Sequence, residues 1–225
     1  MHTLIEDLRG SLIVSCQAYP GEPMRTPSTM ARMAAAVEIG GAKAVRAQGL
    51  EDIRAIKESI SVPVVGLWKD GTDGVFITPT LDHARQVIAA GADIVALDGT
   101  TRERPDRFTL AETLRRLRAE SDTPIMADCD SVEAGLAAAE HGADIIGTTL
   151  AGYTGTRPRT DGPDLDLVAD LARKLPDHPV VAEGRIHTPE QARRALDAGA
   201  FAVVVGTAIT HPTTITTWFR DALDR

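Results

Sequence analysis

Short runs of apolar, largely β-branched residues alternate along this chain with longer stretches in which Ala and Leu recur at helical spacing. The apolar runs are Ser11–Cys16, Ala42–Arg46, Val62–Trp68, Ala92–Leu97, Thr123–Ala127, Ala143–Thr148, Pro179–Ala182 and Phe201–Val205. Runs this short and this continuously apolar predict parallel strands buried on both faces. Between them, Leu81–Ala90, Val132–His141 and Pro189–Ala198 predict helices with one apolar face.

Two junctions punctuate the alternation. In Gly40-Gly41-Ala42, Ala90-Gly91-Ala92, His141-Gly142-Ala143 and Ala198-Gly199-Ala200, a helical stretch ends at a glycine suited to a left-handed cap, and a strand is predicted to begin at once. In Val62-Pro63-Val64, Thr123-Pro124-Ile125 and His178-Pro179-Val180, a proline opens the strand, where its missing N–H does little harm. Eight βα units predict an α/β fold of the (β/α)8 TIM-barrel type, closed and forming a single domain over residues 1–225. A doubly wound open sheet is the alternative, but its GxGxxG opening is absent.

Composition changes this picture little. The chain has 225 residues, enough for one well-buried core, and a formal net charge of −8. That charge argues against nucleic acid or an anionic membrane as main partner, while leaving room for local arginines to bind a small anion. Cys16 and Cys129 form no CxxC pair and read as buried thiols in a reducing cytosol. No run approaches the ~20 apolar residues of a membrane span, and the N-terminus lacks the regions of a signal peptide, so a cytoplasmic protein is expected. No His, Cys and carboxylate grouping has metal-ligand spacing, so no metal is expected.

In a barrel of this kind the residues at the C-terminal tips of the strands share one pocket. Here they are Gln17, Arg46, Lys69, Asp98, Asp128, Thr148-Thr149, Glu183 and Gly206, nearly all polar. Lys69 and Glu183 aimed at one cavity are a candidate proton-transfer pair. Lys69 can be a general base or a Schiff-base former, or else pair with Asp70 or Glu183 as a rim salt bridge. Burial, Arg46 and Arg185 would lower its pKa and Glu183 would raise it; the residues alone leave the balance open. Gly184 and Arg185 after the seventh strand, and Gly206 and Thr207 after the eighth, suit an anion such as phosphate, although Gly206 can simply close a tight turn. Leu150–Pro163 is either a lid or a solvated loop. Trp68 reads as barrel filling, His83 as a surface helix residue, and Thr101–Arg107 as a solvated charged loop from which Arg102 could reach an anion. His187 and His211 read as helix-start residues near the expected phosphate.

Taken together, the tips resemble the N-acylglucosamine-6-phosphate 2-epimerase family. The likeness runs through Ser15-Cys16-Gln17, Ala44-Val45-Arg46-Ala47, Gly66-Leu67-Trp68-Lys69 with Val75–Thr80, Ala96–Thr100, Met126-Ala127-Asp128, Gly147–Thr154, Ala182–Ile186 with Thr188–Ala192, and Val205–Thr210. The runs Val75–Thr80 and Glu183–Ala192 are the specific ones. The resemblance implies a barrel that interconverts N-acetylmannosamine 6-phosphate and N-acetylglucosamine 6-phosphate in sialic acid catabolism, with no cofactor, as a homodimer. It implies that Lys69 carries the C2 proton and that Glu183 assists ring opening, serves as second acid/base, or holds the sugar. Gln17 and Arg46 would polarise the C1 oxygen and Asp128 would hold hydroxyls. Tyr153 and Arg185 join the substrate-binding set, and Gly184, Gly206 and Thr207 would receive the phosphate. One departure stands out: the family shows Gly-Gly-Ala-Ile-Thr-Arg-Pro after the last strand, and this chain has Gly206-Thr207-Ala208-Ile209-Thr210-His211-Pro212. Losing that arginine removes a charge-assisted contact worth about 1.5–3 kcal/mol, which His211 or the Thr207 hydroxyl would replace in part. The rival readings are a Schiff-base aldolase or another sugar-phosphate isomerase on the same barrel, and a non-catalytic phosphosugar-binding protein.

Overall fold

The computed structural model describes residues 3–224, so Met1, His2 and Arg225, the outer ends of the expected domain, lie outside the described residues. A short helix, α1 (Thr3–Glu6), precedes eight strands: β1 (Leu12–Cys16), β2 (Ala44–Gln48), β3 (Val64–Leu67), β4 (Ile94–Asp98), β5 (Ile125–Asp128), β6 (Ile145–Gly147), β7 (Val180–Glu183) and β8 (Ala202–Val205). The helices between them are α2 (Pro27–Ile39), α3 (Leu50–Lys57), α4 (Leu81–Ala89), α5 (Leu110–Glu120), α6 (Val132–Glu140), α7 (Leu165–Lys174) and α8 (Pro189–Asp197). After β8 come α9 (Thr207–Thr210) and α10 (Pro212–Leu223). All strands run parallel in sequence order and β8 pairs with β1, closing the barrel as the alternation of elements predicts.

Several strands start one or two residues later than the hydrophobic runs suggest, and the helix caps explain why. Gly41, Gly91, Gly142 and Gly199 all take a left-handed φ of about +95° to +104°. The alanine after each then turns its N–H back onto the helix: Ala42 to Val37 O, Ala92 to Val87 O, Ala143 to Ala138 O and Ala200 to Ala195 O. That is the six-residue closure of a Schellman cap. An N–H spent on the helix cannot join the strand ladder, so pairing begins further on. The prolines behave as expected, their carbonyls accepting from the neighbouring strand at Pro63, Pro124 and Pro179.

Side chains then sort by strand alternation. Ile13, Ala44, Val65, Leu67, Ile94, Ala96, Met126, Ile145, Val181 and Val204 fill the barrel. Ile5 and Leu8, from α1 and the turn after it, join Phe201 in the same cluster as a plug at the N-terminal end. The alternate positions, including Val45, Val64, Val95, Ile125 and Ile146, pack against the helices. No helix among the described residues is long and apolar enough to cross a membrane. With one end plugged by hydrocarbon, polar inward-facing residues are left to gather at the other.

Candidate active site

Arg46 lies within β2, one turn of the pleat deeper than a loop residue, and is only 1% exposed. Its guanidinium donates to both oxygens of Asp128 at the end of β5, Nη1 to Oδ1 at 3.1 Å and Nη2 to Oδ2 at 2.5 Å. The same Nη1 is 3.1 Å from Oε2 of Glu183, the last residue of β7. The Thr149 hydroxyl completes a ring, 2.7 Å from Asp128 Oδ1 and 3.1 Å from Glu183 Oε2. The ring needs Gly147 beneath it: a Cβ there would meet Met126 Cε at 2.7 Å and crowd both Asp128 Oδ1 and Thr149 Oγ1 at 3.2 Å. Asp128 is wholly enclosed, whereas Glu183 keeps 13% of its side chain exposed. Glu183 is therefore the carboxylate of the ring that a ligand can reach. Burial pushes its pKa above the usual carboxylate range; Arg46, Thr149 and Lys69 pull it back and Asp128 adds to the rise.

Lys69 stands apart from that ring. Its Nζ donates to Gln17 Oε1 at 2.8 Å, and Gln17 Nε2 donates in turn to Ser15 Oγ at 2.9 Å. The Tyr19 ring centroid is 5.9 Å from the amine. Among the described residues no carboxylate forms an ion pair with Lys69. Burial lowers its pKa below the ordinary lysine value, Arg46 lowers it further, and Glu183 and Asp128 oppose both. The balance that the residues alone left open is decided by desolvation, and Lys69 is no rim salt bridge.

The expected phosphate residues sit on adjacent tips. Gly184 has φ +110°, a conformation closed to most L side chains. Gly206 caps α9, and Thr207 is its first residue, where the first-turn amides have no partner within the helix. Thr210 Oγ1 ties this turn to β1 through Ser15 O at 2.8 Å.

Other predicted residues are placed less simply. Arg185, at φ +56°, donates to Gly162 O, Ala151 O and Thr160 Oγ1, so its guanidinium pins the loop between β6 and α7. Tyr153 is 52% exposed on that loop and lies under the guanidinia of Arg159 and Arg185. Thr154 and Thr156 both donate to Asp130, and Arg157 pairs with Asp164, so the segment is laced down along its length. His211 caps α10 through Nδ1, while its buried Nε2, 3.4 Å from Glu22, makes no hydrogen bond among the described residues. His187 starts its helix and packs on Trp218.

Three readings of the sequence need correction. His83 is no surface residue, since it packs on Trp68 at 4.4 Å and reaches Asp70, with 14% of its side chain exposed. Trp68 packs outside the strands with the helix-facing core instead of filling the barrel. The charged segment 101–107 is not simply solvated, because Arg104 is 2% exposed, donating to Asp98 O and Thr78 O, and Arg102 bridges Asp98 and Gly74 O. Carbonyls left over at strand ends need donors, and these arginines supply them. The sequence marks Thr149 as a strand tip but gives no role to it, nor to Ser15 and Gln48. The signal for the last two was strand alternation, which puts Ser15 in line with Gln17 and Gln48 with Arg46. Nothing in the sequence marks Tyr19.

Two clefts of about 410 and 510 Å³ open elsewhere, one by Arg9, His178 and Phe201, the other by Leu4, Lys43 and Pro63. Neither touches the residues above.

Residues 30–225 match the family model described as "NanE: Putative N-acetylmannosamine-6-phosphate epimerase". The chain belongs to the NanE family. A relative from Cutibacterium acnes, named "Putative N-acetylmannosamine-6-phosphate 2-epimerase", is 68% identical over 221 residues, covering 98% of this chain and 96% of its own. One of the same name from Caldanaerobacter subterraneus is 51% identical, over 96% of this chain and 92% of its own. The solved N-acetylmannosamine-6-phosphate 2-epimerase from Clostridium perfringens superposes with a TM-score of 0.93 at 39% identity, over 99% of this chain and 96% of that one. Membership of the NanE family is thus carried by sequence and by shape across nearly the whole chain.

Proposed function

We propose that this NanE family member inverts C2 of N-acetylmannosamine 6-phosphate to give N-acetylglucosamine 6-phosphate, an isomerase step of amino sugar catabolism. The observation that carries this is a lysine amine, depressed in pKa by burial and bound to a neutral amide, at the same end of the barrel as a reachable carboxylate whose pKa burial raises. In the open-chain sugar the C1 aldehyde acidifies the C2 proton. Neutral Lys69 takes that proton, the C2–H electron pair becomes the enolate, and negative charge develops on the C1 oxygen. Lys69, now protonated, and the amide of Gln17 are the donors beside that oxygen. Glu183, held protonated over a wider pH range than an ordinary carboxylate, gives its proton to the ring oxygen and takes one from the C1 hydroxyl as the ring opens; it then protonates C2 on the opposite face, and exchange with water resets both groups. Arg46 acts through its field and by fixing Asp128 and Glu183, since its guanidinium is buried and engaged. The phosphate rests on backbone amides at Gly184, Gly206 and Thr207, without the family's arginine after the last strand, so phosphate contributes less affinity here.

Two further expectations belong to this reading. Free, buried Cys16 and Cys129 suit a reducing, cytoplasmic setting; burial pushes the Cys16 thiol up to about 12. Helix α10 buries none of its residues and exposes Phe219 and Leu223, which supports a homodimer that covers them and which sedimentation velocity would detect.

Proton NMR of N-acetylmannosamine 6-phosphate with the protein in deuterium oxide tests the reaction. The expected result is N-acetylglucosamine 6-phosphate carrying deuterium at C2. No conversion by folded protein would overturn the assignment. Covalent trapping of Lys69 by borohydride would move it to Schiff-base chemistry.

A further inference from the structure

The ladder between β3 and β4 is short, pairing Val65 with Ile94 and Gly66 with Val95 and going no further. Beyond it the chain continues through Trp68 and Lys69, turns at Gly71–Gly74, and comes back as Val75–Thr78. The return arm lies between the two strand ends. Thr78 N donates to Trp68 O at 2.7 Å and Asp70 N to Phe76 O at 3.0 Å, while on the other side Asp98 N donates to Ile77 O at 3.0 Å. We propose that this returning arm is a wedge built to position Lys69, with Thr78 as the positioning residue that locks it and Ile77 as the side chain that covers the amine. The proposal rests on the reading of Lys69 as the proton carrier.

Thr78 carries the argument because its conformation is costly and its contacts are complete. It is fully buried at φ +45°, a region where a β-branched residue is a genuine outlier. Its hydroxyl accepts from Trp68 N at 3.1 Å and donates to Ala96 O at 2.6 Å. Its carbonyl accepts from buried Arg104 at 3.0 Å. Every polar group of the residue is thus used, and two of the bonds end on Trp68, the neighbour of Lys69. The next amide along, Lys69 N, is taken by Gln48 Oε1 at 3.3 Å. The strand that would otherwise end in solvent is therefore pinned through its last two N–H groups. At the far end of the turn Arg102 holds Gly74 O at 2.7 Å and Asp98 at 2.6 Å. Lys69 pairs directly with Ile77 across the hairpin, so the two side chains leave on the same face. Ile77 is 4% exposed and belongs to the cluster filling the barrel. The specific Val75–Thr80 run in the sequence thus acquires a purpose that does not require any of its residues to touch a substrate.

The charged groups around the amine are Arg46 from β2, Asp128 from β5 and Glu183 from β7; Asp70 is turned outward to His83. Loosening the wedge leaves those in place and changes only the access of water and the aim of the amine. The test compares Thr78→Ala, Thr78→Ser and Ile77→Ala with the native chain. It reads the pH dependence of Lys69 acetylation by mass spectrometry together with kcat and KM. Thr78→Ala is expected to raise the Lys69 midpoint by about one pH unit and to lower kcat near neutrality about tenfold, with KM little changed. Thr78→Ser restores both values. Ile77→Ala, which keeps every hydrogen bond, moves the midpoint in the same direction and serves if Thr78→Ala does not fold. An unchanged midpoint in a folded Thr78→Ala or Ile77→Ala variant would overturn the proposal, as would equal loss in the Ala and Ser variants at position 78. A shifted midpoint in a chain whose native form does not epimerise would uphold the wedge and defeat the epimerase reading instead.

Discussion

The two halves of the barrel mouth are built differently. On one side Arg46, Asp128, Thr149 and Glu183 form a closed ring of charge-assisted bonds anchored in β2, β5, β6 and β7. On the other, the Lys69 amine has a single hydrogen bond among the described residues, to the neutral side chain of Gln17. Its aim is set by backbone held in a hairpin. A group in a ring of charges is rigid but expensive to disturb. A desolvated lysine hydrogen-bonded to a neutral amide gives up its proton more readily and can exchange that bond for a substrate. The ring holds charge still, and the hairpin holds the Lys69 amine in place.

If the two halves divide the work in this way, their variants should fail differently. Lys69→Met should lower kcat by about 10³-fold, within the usual range for losing a general base, and leave the melting temperature level or slightly higher. Rate by NMR and melting by circular dichroism check both parts. Asp128→Ala should do the reverse in emphasis. It leaves the buried Arg46 with Glu183 as its remaining carboxylate among the described residues, so stability should fall by about 3 kcal/mol in urea titration, with activity lost as a consequence.

Glu183→Gln sharpens the contrast through pH. The folded-state pKa of Glu183 lies above its unfolded value near 4.3, so the folded chain binds the extra proton across that window. Native stability must then decline as pH rises from about 4.3 through the folded value, a decline that the Gln variant lacks. The melting temperature of Glu183→Gln relative to the native chain should therefore climb across this range; a flat difference would contradict the raised pKa. Lys69, depressed, has the opposite sign: its contribution improves as pH rises from the folded value toward about 10.4. The smallest effect is expected at the phosphate end. His211→Arg should lower KM several-fold by restoring a cation, at a cost of about 1 kcal/mol for the lost α10 cap. Steady-state kinetics and thermal melting read these two changes separately.

How far the sequence revealed these halves depended on the range of the forces involved. The strands and their tips were legible because the change from apolar run to polar residue is local, as at Leu67 to Lys69 and Ala182 to Glu183. Arg46 was legible as a tip, but its attachment to Asp128 joins residues 82 apart and exists only once the barrel closes. Arg185 suits an anion because a guanidinium beside glycine does; that its left-handed backbone also brings it onto the neighbouring loop was not legible along the chain. Arg104 looked solvated because charge runs usually are, yet two orphan carbonyls drew it into the interior.

The sequence by itself determined the eight βα units, their parallel order, and the presence of a lysine and a carboxylate at the C-terminal end of the strands. Hydrophobic period, glycine caps and proline starts act over a few residues, so they can be read along the chain. Only the tertiary structure decided which cation met which anion, that Lys69 forms no ion pair among the described residues, and that residues 75–78 folded back beside it. Those outcomes turn on distances of a few ångströms between distant segments. At that range, burial and competition for the last unpaired donors outweigh any local preference.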